Sequence, residues 1–162
     1  LGEPLISVNV RSQLSSIQKN YDTLYERLIA EAVNLHERYP ALVCGYIYLL
    51  PTVGYDSDAM KDRRIAHTEK FNWEKYLHTF SLLQNRITAN DKPYKYESLC
   101  LLAVDFGTHQ PKVLHHVDEF VELGLISADF GKQFSYNNLA VSAFVDTLLL
   151  RFRERSNLSL QL

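Results

Sequence analysis

In 162 residues the chain has one methionine, two cysteines, one tryptophan, six glycines and five prolines. Little glycine and proline excludes collagen-like and linker-like chains, which those residues dominate. Two cysteines cannot build a disulfide scaffold. Cys44 and Cys100 lie inside the apolar runs 42–50 and 99–104, where small buried hydrophobes belong, and they lack the spacing of a zinc site. A reducing, cytoplasmic compartment is therefore expected. No apolar run approaches the roughly 20 residues of a membrane helix, and residues 1–10 lack the basic and long apolar regions of a secretory signal. A soluble protein with no membrane partner follows. The only methionine is Met60 and the first residue is Leu1, so the chain reads as the later part of a longer product, with an N-terminal segment supplied elsewhere.

What is present suffices for a core: 46% of residues are hydrophobic and 12% aromatic. The length fits a single domain over 1–162. A net charge of −2 gives no global sign of nucleic acid or membrane, but the charge is uneven. Between Lys61 and Tyr96 eight basic residues face four acidic ones, a local net of +4 that leaves −6 for the rest. Such a band fits either a polyanion-facing side or ordinary solvated surface.

Residues 5–10 alternate and are β-branched, the pattern of a strand leading into the polar segment 11–16. Leu24, Leu28, Ala32 and Leu35 recur at helical spacing over 22–38, and Thr23 with Glu26 three residues on fits a capping box. The nearly unbroken apolar run 42–50, closed by Pro51, predicts a strand covered on both faces. A polar stretch, 54–70, leads to a helix starting near Asn72 with Trp73, Tyr76, Leu77, Phe80, Leu83 and Ile87 on one face and Lys75, His78 and Arg86 on the other. Residues 98–106 predict a third strand ended by Gly107, and two helices follow, 117–123 and 137–155, the second with Leu139, Ala143, Val145, Leu148 and Leu149 inside. This alternation predicts an α/β fold, a small sheet with helices packed on it.

There is no glycine-rich phosphate loop, zincin helix or G-x-S-x-G elbow. His115 and His116 are adjacent, and helical neighbours point about 100° apart, so they do not converge on a metal. The informative stretch is Ser7-Val-Asn-Val-Arg-Ser-Gln13. Residues two apart in a strand share a face, so Asn9 and Arg11 project together, with Ser12 and Gln13 just past the strand end. Their spacing alone fits a site and a wet strand end equally well.

Strand, helix and covered strand together resemble the PD-(D/E)XK nuclease superfamily in its restriction-endonuclease branch. There a strand carrying acid-x-Lys runs on as Ser-Gln into a helix with Asn, Arg and Glu, as Asn20-Tyr-Asp-Thr-Leu-Tyr-Glu-Arg27 does here. A Gly-Tyr-apolar strand such as Gly45–Pro51 follows. The resemblance covers roughly residues 5–106 and implies a restriction-endonuclease-like fold. It departs at two positions: Asn9 stands where the second carboxylate belongs and Arg11 where the lysine belongs. An amide lacks the charge a metal needs, and arginine does not give up a proton near neutral pH.

The resemblance also implies that the missing carboxylate can come from the following helix. Asp22, Glu26 and Glu31 are available there, and Glu26 is the preferred catalytic and metal-holding residue. Upstream only Glu3 is present, too close along the chain to be the superfamily's first acid. The implied activity is that of a type II restriction-type DNA endonuclease hydrolysing phosphodiesters with Mg²⁺. Arg11 would clamp the phosphate, with Gln13, Ser12 and Ser15 positioning it, and Lys61, Arg63 and Arg64 would contact double-stranded DNA. Two-strand cutting would suit a homodimer. The alternatives are a catalytically inactive DNA-binding module of the same fold and an α/β protein-interaction domain whose aromatics serve core and partner surface.

Overall fold

The computed structural model describes residues 5–67, 70–107 and 109–156; Glu3 lies outside them. Four strands form one open mixed sheet in the order β1 (Ile6–Ser12), β2 (Val43–Pro51), β3 (Ser98–Asp105), β4 (Lys112–Val113). The first three are parallel and β4 is antiparallel to β3. The mixed α/β architecture expected from the sequence is present. None of the helices described is long and apolar enough to cross a membrane.

Helices cover both faces of β2 and β3. On one side lie α1 (Tyr21–Arg38) and α3 (Trp73–Leu83), each burying its apolar stripe. Leu24, Leu28 and Ala32 from α1 and Trp73, Tyr76, Leu77 and Phe80 from α3 join Tyr46, Tyr48, Leu99 and Leu101 in the main core. Tyrosine hydroxyls in this layer bond backbone carbonyls: Tyr76 to Ile17, Tyr96 to Leu28 and Tyr136 to Leu101, at 2.8, 2.8 and 2.6 Å. These bonds let the three rings be buried with their hydroxyls satisfied. The other face is covered by α6 (Val141–Ser156), through Phe144 and Leu148 against Val43 and Cys100. A Cβ on Gly45 would stand 2.7 Å from the Phe144 ring, so glycine is what lets α6 approach β2 this closely.

Several expectations are corrected. β1 runs through Arg11 and Ser12 and does not end at Val10. The segment 54–70 contains a short helix, α2 (Ser57–Lys61), started by the Asp56 carboxylate accepting from the Asp58 and Ala59 N–H groups. α3 stops at Leu83, because the chain turns through Asn85 at φ 67°. Arg86, expected on a solvated face, is therefore buried, while Ile87 is exposed. After α4 (Val117–Glu122) comes an unpredicted α5 (Ala128–Gln133). The helix expected over 137–155 is a 3-10 turn, Asn137–Leu139, followed by α6, so its register differs and Val145 and Leu149 are exposed.

One buried carboxylate ties these layers together. Glu97 accepts from the Cys44 N–H at 2.6 Å and from Arg86 at 2.9 Å, and lies 2.5 Å from Arg155 Nη2 and 3.3 Å from His36 Nε2. It thereby joins α1, β2, the turn after α3, and α6. Burial alone would raise its pKa. The bonds from His36, Arg86 and the Cys44 N–H, with the Arg155 charge, reverse that and hold the carboxyl below its ordinary value. Glu97→Ala, which leaves two buried guanidiniums uncompensated, is expected to cost about 3–5 kcal/mol in chemical denaturation, more than Glu97→Gln.

A second carboxylate starts α4. Glu119 accepts from the N–H groups of His115 and His116 and pairs with Lys112 at 2.8 Å. Partial burial opposes its charge, but these partners outweigh it and hold the pKa at about 2. The contribution is fully present above the unfolded value of about 4.3 and is lost as pH falls through about 2. Glu119→Ala should therefore cost about 1 kcal/mol at neutral pH, and its denaturation midpoint should converge on that of the parent protein as pH falls toward 2.

Candidate anion-binding site

β1 is an edge strand, and its polarity is inverted relative to a simple amphipathic strand. Ile6, Val8 and Val10 are exposed on the face away from α1, while Asn9 and Arg11 lie in register with Tyr46 and Tyr48 on the α1 side. There Glu31 of α1 meets them. Asn9 Nδ2 donates to Oε2 at 3.0 Å and Arg11 Nη2 to Oε1 at 2.6 Å. Burial, and then the Glu31 carboxylate, push the neighbouring Tyr46 hydroxyl up to about 12, so it stays protonated.

Past the strand, Gln13 shapes the turn. Its N–H continues the ladder to Leu49 O at 3.1 Å, and its amide nitrogen donates to the carbonyls of Ser15 and Ser16 at 3.3 and 3.1 Å. Its amide oxygen accepts from the Tyr48 hydroxyl at 2.6 Å. Ser16 sits at φ 52°, which turns the chain back toward α1. Asn20 precedes α1 without a side-chain cap bond; the Tyr21 N–H is taken by the Gln18 carbonyl at 3.4 Å, and the next N–H groups of the first turn carry no side-chain cap.

Between the end of β1 and the start of α1 is a cavity of about 570 Å³, lined by Arg11, Ser12, Gln13, Ser15, Thr23 and Arg27, with Asn20 and Tyr48 at its sides. No carboxylate lines it. Arg27 makes no ion pair among the described residues, and Arg11 is only half covered by its bond to Glu31. The arrangement presents two guanidiniums, hydroxyls and a helix start to one volume. That chemistry fits a phosphate or another tetrahedral oxyanion.

Of the residues expected at the site, Arg11, Ser12, Gln13 and Ser15 converge on this cavity. Glu26 does not. It is exposed in a separate shallow depression with Tyr25, Ile29 and Val33, and α1 begins too early for a capping box between Thr23 and Glu26. The helical carboxylate that reaches Asn9 and Arg11 is Glu31. Lys61, Arg63 and Arg64 lie on α2 and the turn after it; Lys61 pairs with Asp58 and Arg64 with Asp62, all exposed. Thr23, Arg27 and Tyr48 were not anticipated. The spacing of Thr23, Arg27 and Glu31, four residues apart, marks them as one helical stripe above β1.

The donors do not fit Mg²⁺. The one nearby carboxylate, Glu31, has both oxygens engaged, one by a guanidinium, and the Gln13 amide oxygen is taken by Tyr48. A hard divalent ion needs charged or free oxygens. Among the described residues, His36, Cys44 and Glu97 have donor atoms close enough for a metal. However, Glu97 is held by two arginines, and burial, followed by the Glu97 charge, pushes the Cys44 thiol up to about 12. A neutral thiol beside two cations makes a poor ligand set. Compared with known proteins, the chain matches no family model, no curated protein and no solved structure.

Removing the Glu31 charge leaves Arg11 without its countercharge. Glu31→Gln should therefore tighten binding of inorganic phosphate by up to about fivefold, read by isothermal calorimetry at low salt.

Proposed function

We propose that this chain is a DNA-binding module that grips a backbone phosphate in the cavity at the end of β1 and does not itself cleave the strand. The observation that carries this is the cavity's lining of two arginines and several hydroxyls, without a carboxylate. Metal-dependent hydrolysis needs negative oxygens around an ion, whereas phosphate binding needs what is there. A polymer is favoured over free phosphate because cationic lining continues beyond the cavity. The adjoining depression is lined by Ser16, Lys19, Lys70 and Phe71, and neither lysine has an ion pair among the described residues.

The likeness to restriction-endonuclease-like domains supports this reading through the position of Arg11, at the end of the strand where that superfamily holds the phosphate. The endonuclease reading is the second proposal. It is favoured by Glu31, a helix-borne carboxylate at the strand end, but it requires a further carboxylate that the described residues do not bring there. A homodimer, if that is the working unit, would form through β1, whose outer edge is unpaired in the sheet and whose Ile6, Val8 and Val10 are exposed.

Fluorescence anisotropy with labelled DNA tests the proposal. Affinity should fall steeply with salt, and Arg27→Ala should weaken binding and lower the slope of log K against log salt by about 0.9 for duplex or about 0.7 for single strands. Salt-independent binding, or an unchanged slope in Arg27→Ala, would contradict it. Cutting of plasmid by the purified chain with Mg²⁺ would favour the endonuclease reading.

A further inference from the structure

A second cavity opens at the C-terminal ends of β2 and β3, where open parallel sheets place ligands. It measures about 170 Å³ and is lined by Thr52, Val53, His67, Asp105, Phe106 and Gly107. An apolar cavity of about 150 Å³ is enough for benzene, so this one accommodates a single six-membered ring. Phe106 and His67 are among its lining residues, and their rings neighbour Tyr55, whose ring centroid is 6.2 Å from that of Phe106 and 4.9 Å from that of His67. Aromatic surfaces of this kind stack planar heterocycles.

Besides Thr52 and His67, the lining brings one carboxylate, that of Asp105. Asp105 Oδ1 accepts from the Thr52 hydroxyl at 3.2 Å and from the Gly107 N–H at 2.9 Å. Both bonds fall on the same oxygen, which fixes the carboxylate and leaves Oδ2 as the acceptor for a ligand N–H. An ionised carboxylate only accepts, so it matches the exocyclic amine of cytosine and opposes the O4 carbonyl of thymine.

The linings of the two cavities are linked through the backbone. Ser15, which lines the first, bridges to Tyr55, and Tyr55 bridges to His67, which lines the second. Bridged segments lie about 4.8 Å apart, so two steps span about 10 Å. That is the scale separating a backbone phosphate from an unstacked base on the same strand.

We infer that the cavity at the ends of β2 and β3 takes one unstacked cytosine of the strand whose phosphate occupies the cavity at the end of β1. This rests on the phosphate-binding reading. The base is read by Asp105 and stacked by Phe106 and His67, and the sequence preference comes from this cavity while the arginines set affinity.

The test compares single-stranded oligodeoxycytidylate and oligothymidylate of equal length by anisotropy at mildly alkaline pH, against the parent protein, Asp105→Asn and Arg27→Ala. The parent should prefer cytidylate about tenfold. Asp105→Asn keeps an oxygen for Thr52 and Gly107 and adds an N–H donor, so it should lose or reverse that preference, with circular dichroism confirming its fold. Equal affinities of the parent for both strands, weakened alike by Arg27→Ala, would overturn the base cavity and leave the phosphate reading intact. Binding of neither strand would overturn both. If Asp105→Asn does not fold, the parent's preference between the two strands decides alone.

Discussion

A carboxylate with no contact to water holds the layers of this protein together. Glu97 sits at the N-terminal end of β3 and is gripped by Arg86 and Arg155, with the Cys44 N–H and the His36 ring on its other oxygen. A buried charge of this kind is costly unless every partner is in place, so the ends of α1 and α6, the start of β2 and the turn after α3 must reach their positions together. This constraint lies at the N-terminal ends of the strands. The opposite ends are left to loops, and both cavities open there.

The candidate site depends on that frame through α1. With its C-terminal turn anchored by His36, the helix lays the stripe Thr23, Arg27 and Glu31 along the edge strand. Glu31 then orients Arg11 and Asn9. Its role is to position a guanidinium, and the same bond that positions it consumes the negative charge a metal would have used. With Asn9 and Arg11 both bonded to Glu31, the strand end presents a guanidinium and hydroxyls, with no carboxylate lining the cavity beside it.

Much of the fold was legible in the sequence because its signals were strong and local. The long apolar runs around Cys44 and Cys100 marked β2 and β3, and helical periodicity marked α1 and the buried face of α3. What was missed depended on tertiary partners. Arg86 reads as a surface cation until Glu97 is placed beside it, and the helix over 137–155 reads as continuous until the turn at Ala140 shifts which face of α6 is buried. At the site, strand parity placed Arg11 correctly. Glu26, the helical carboxylate preferred from the sequence, lies outside this cavity, and the one that reaches from helix to strand to meet Asn9 and Arg11 is Glu31. Arg27 and Tyr48 contribute through space, and Asp105 and His67 are far apart in the chain.

In the proposed function Arg11 and Arg27 together hold a phosphate. The most direct measurement is an NMR titration of the arginine-labelled protein with a 5′-phosphorylated dinucleotide, following the side-chain Nε–H resonances. Arg11 and Arg27 should shift together along one saturating curve while Arg63 and Arg64 stay still. Shifts confined to Arg63 and Arg64, with Arg11 and Arg27 unmoved, would contradict it.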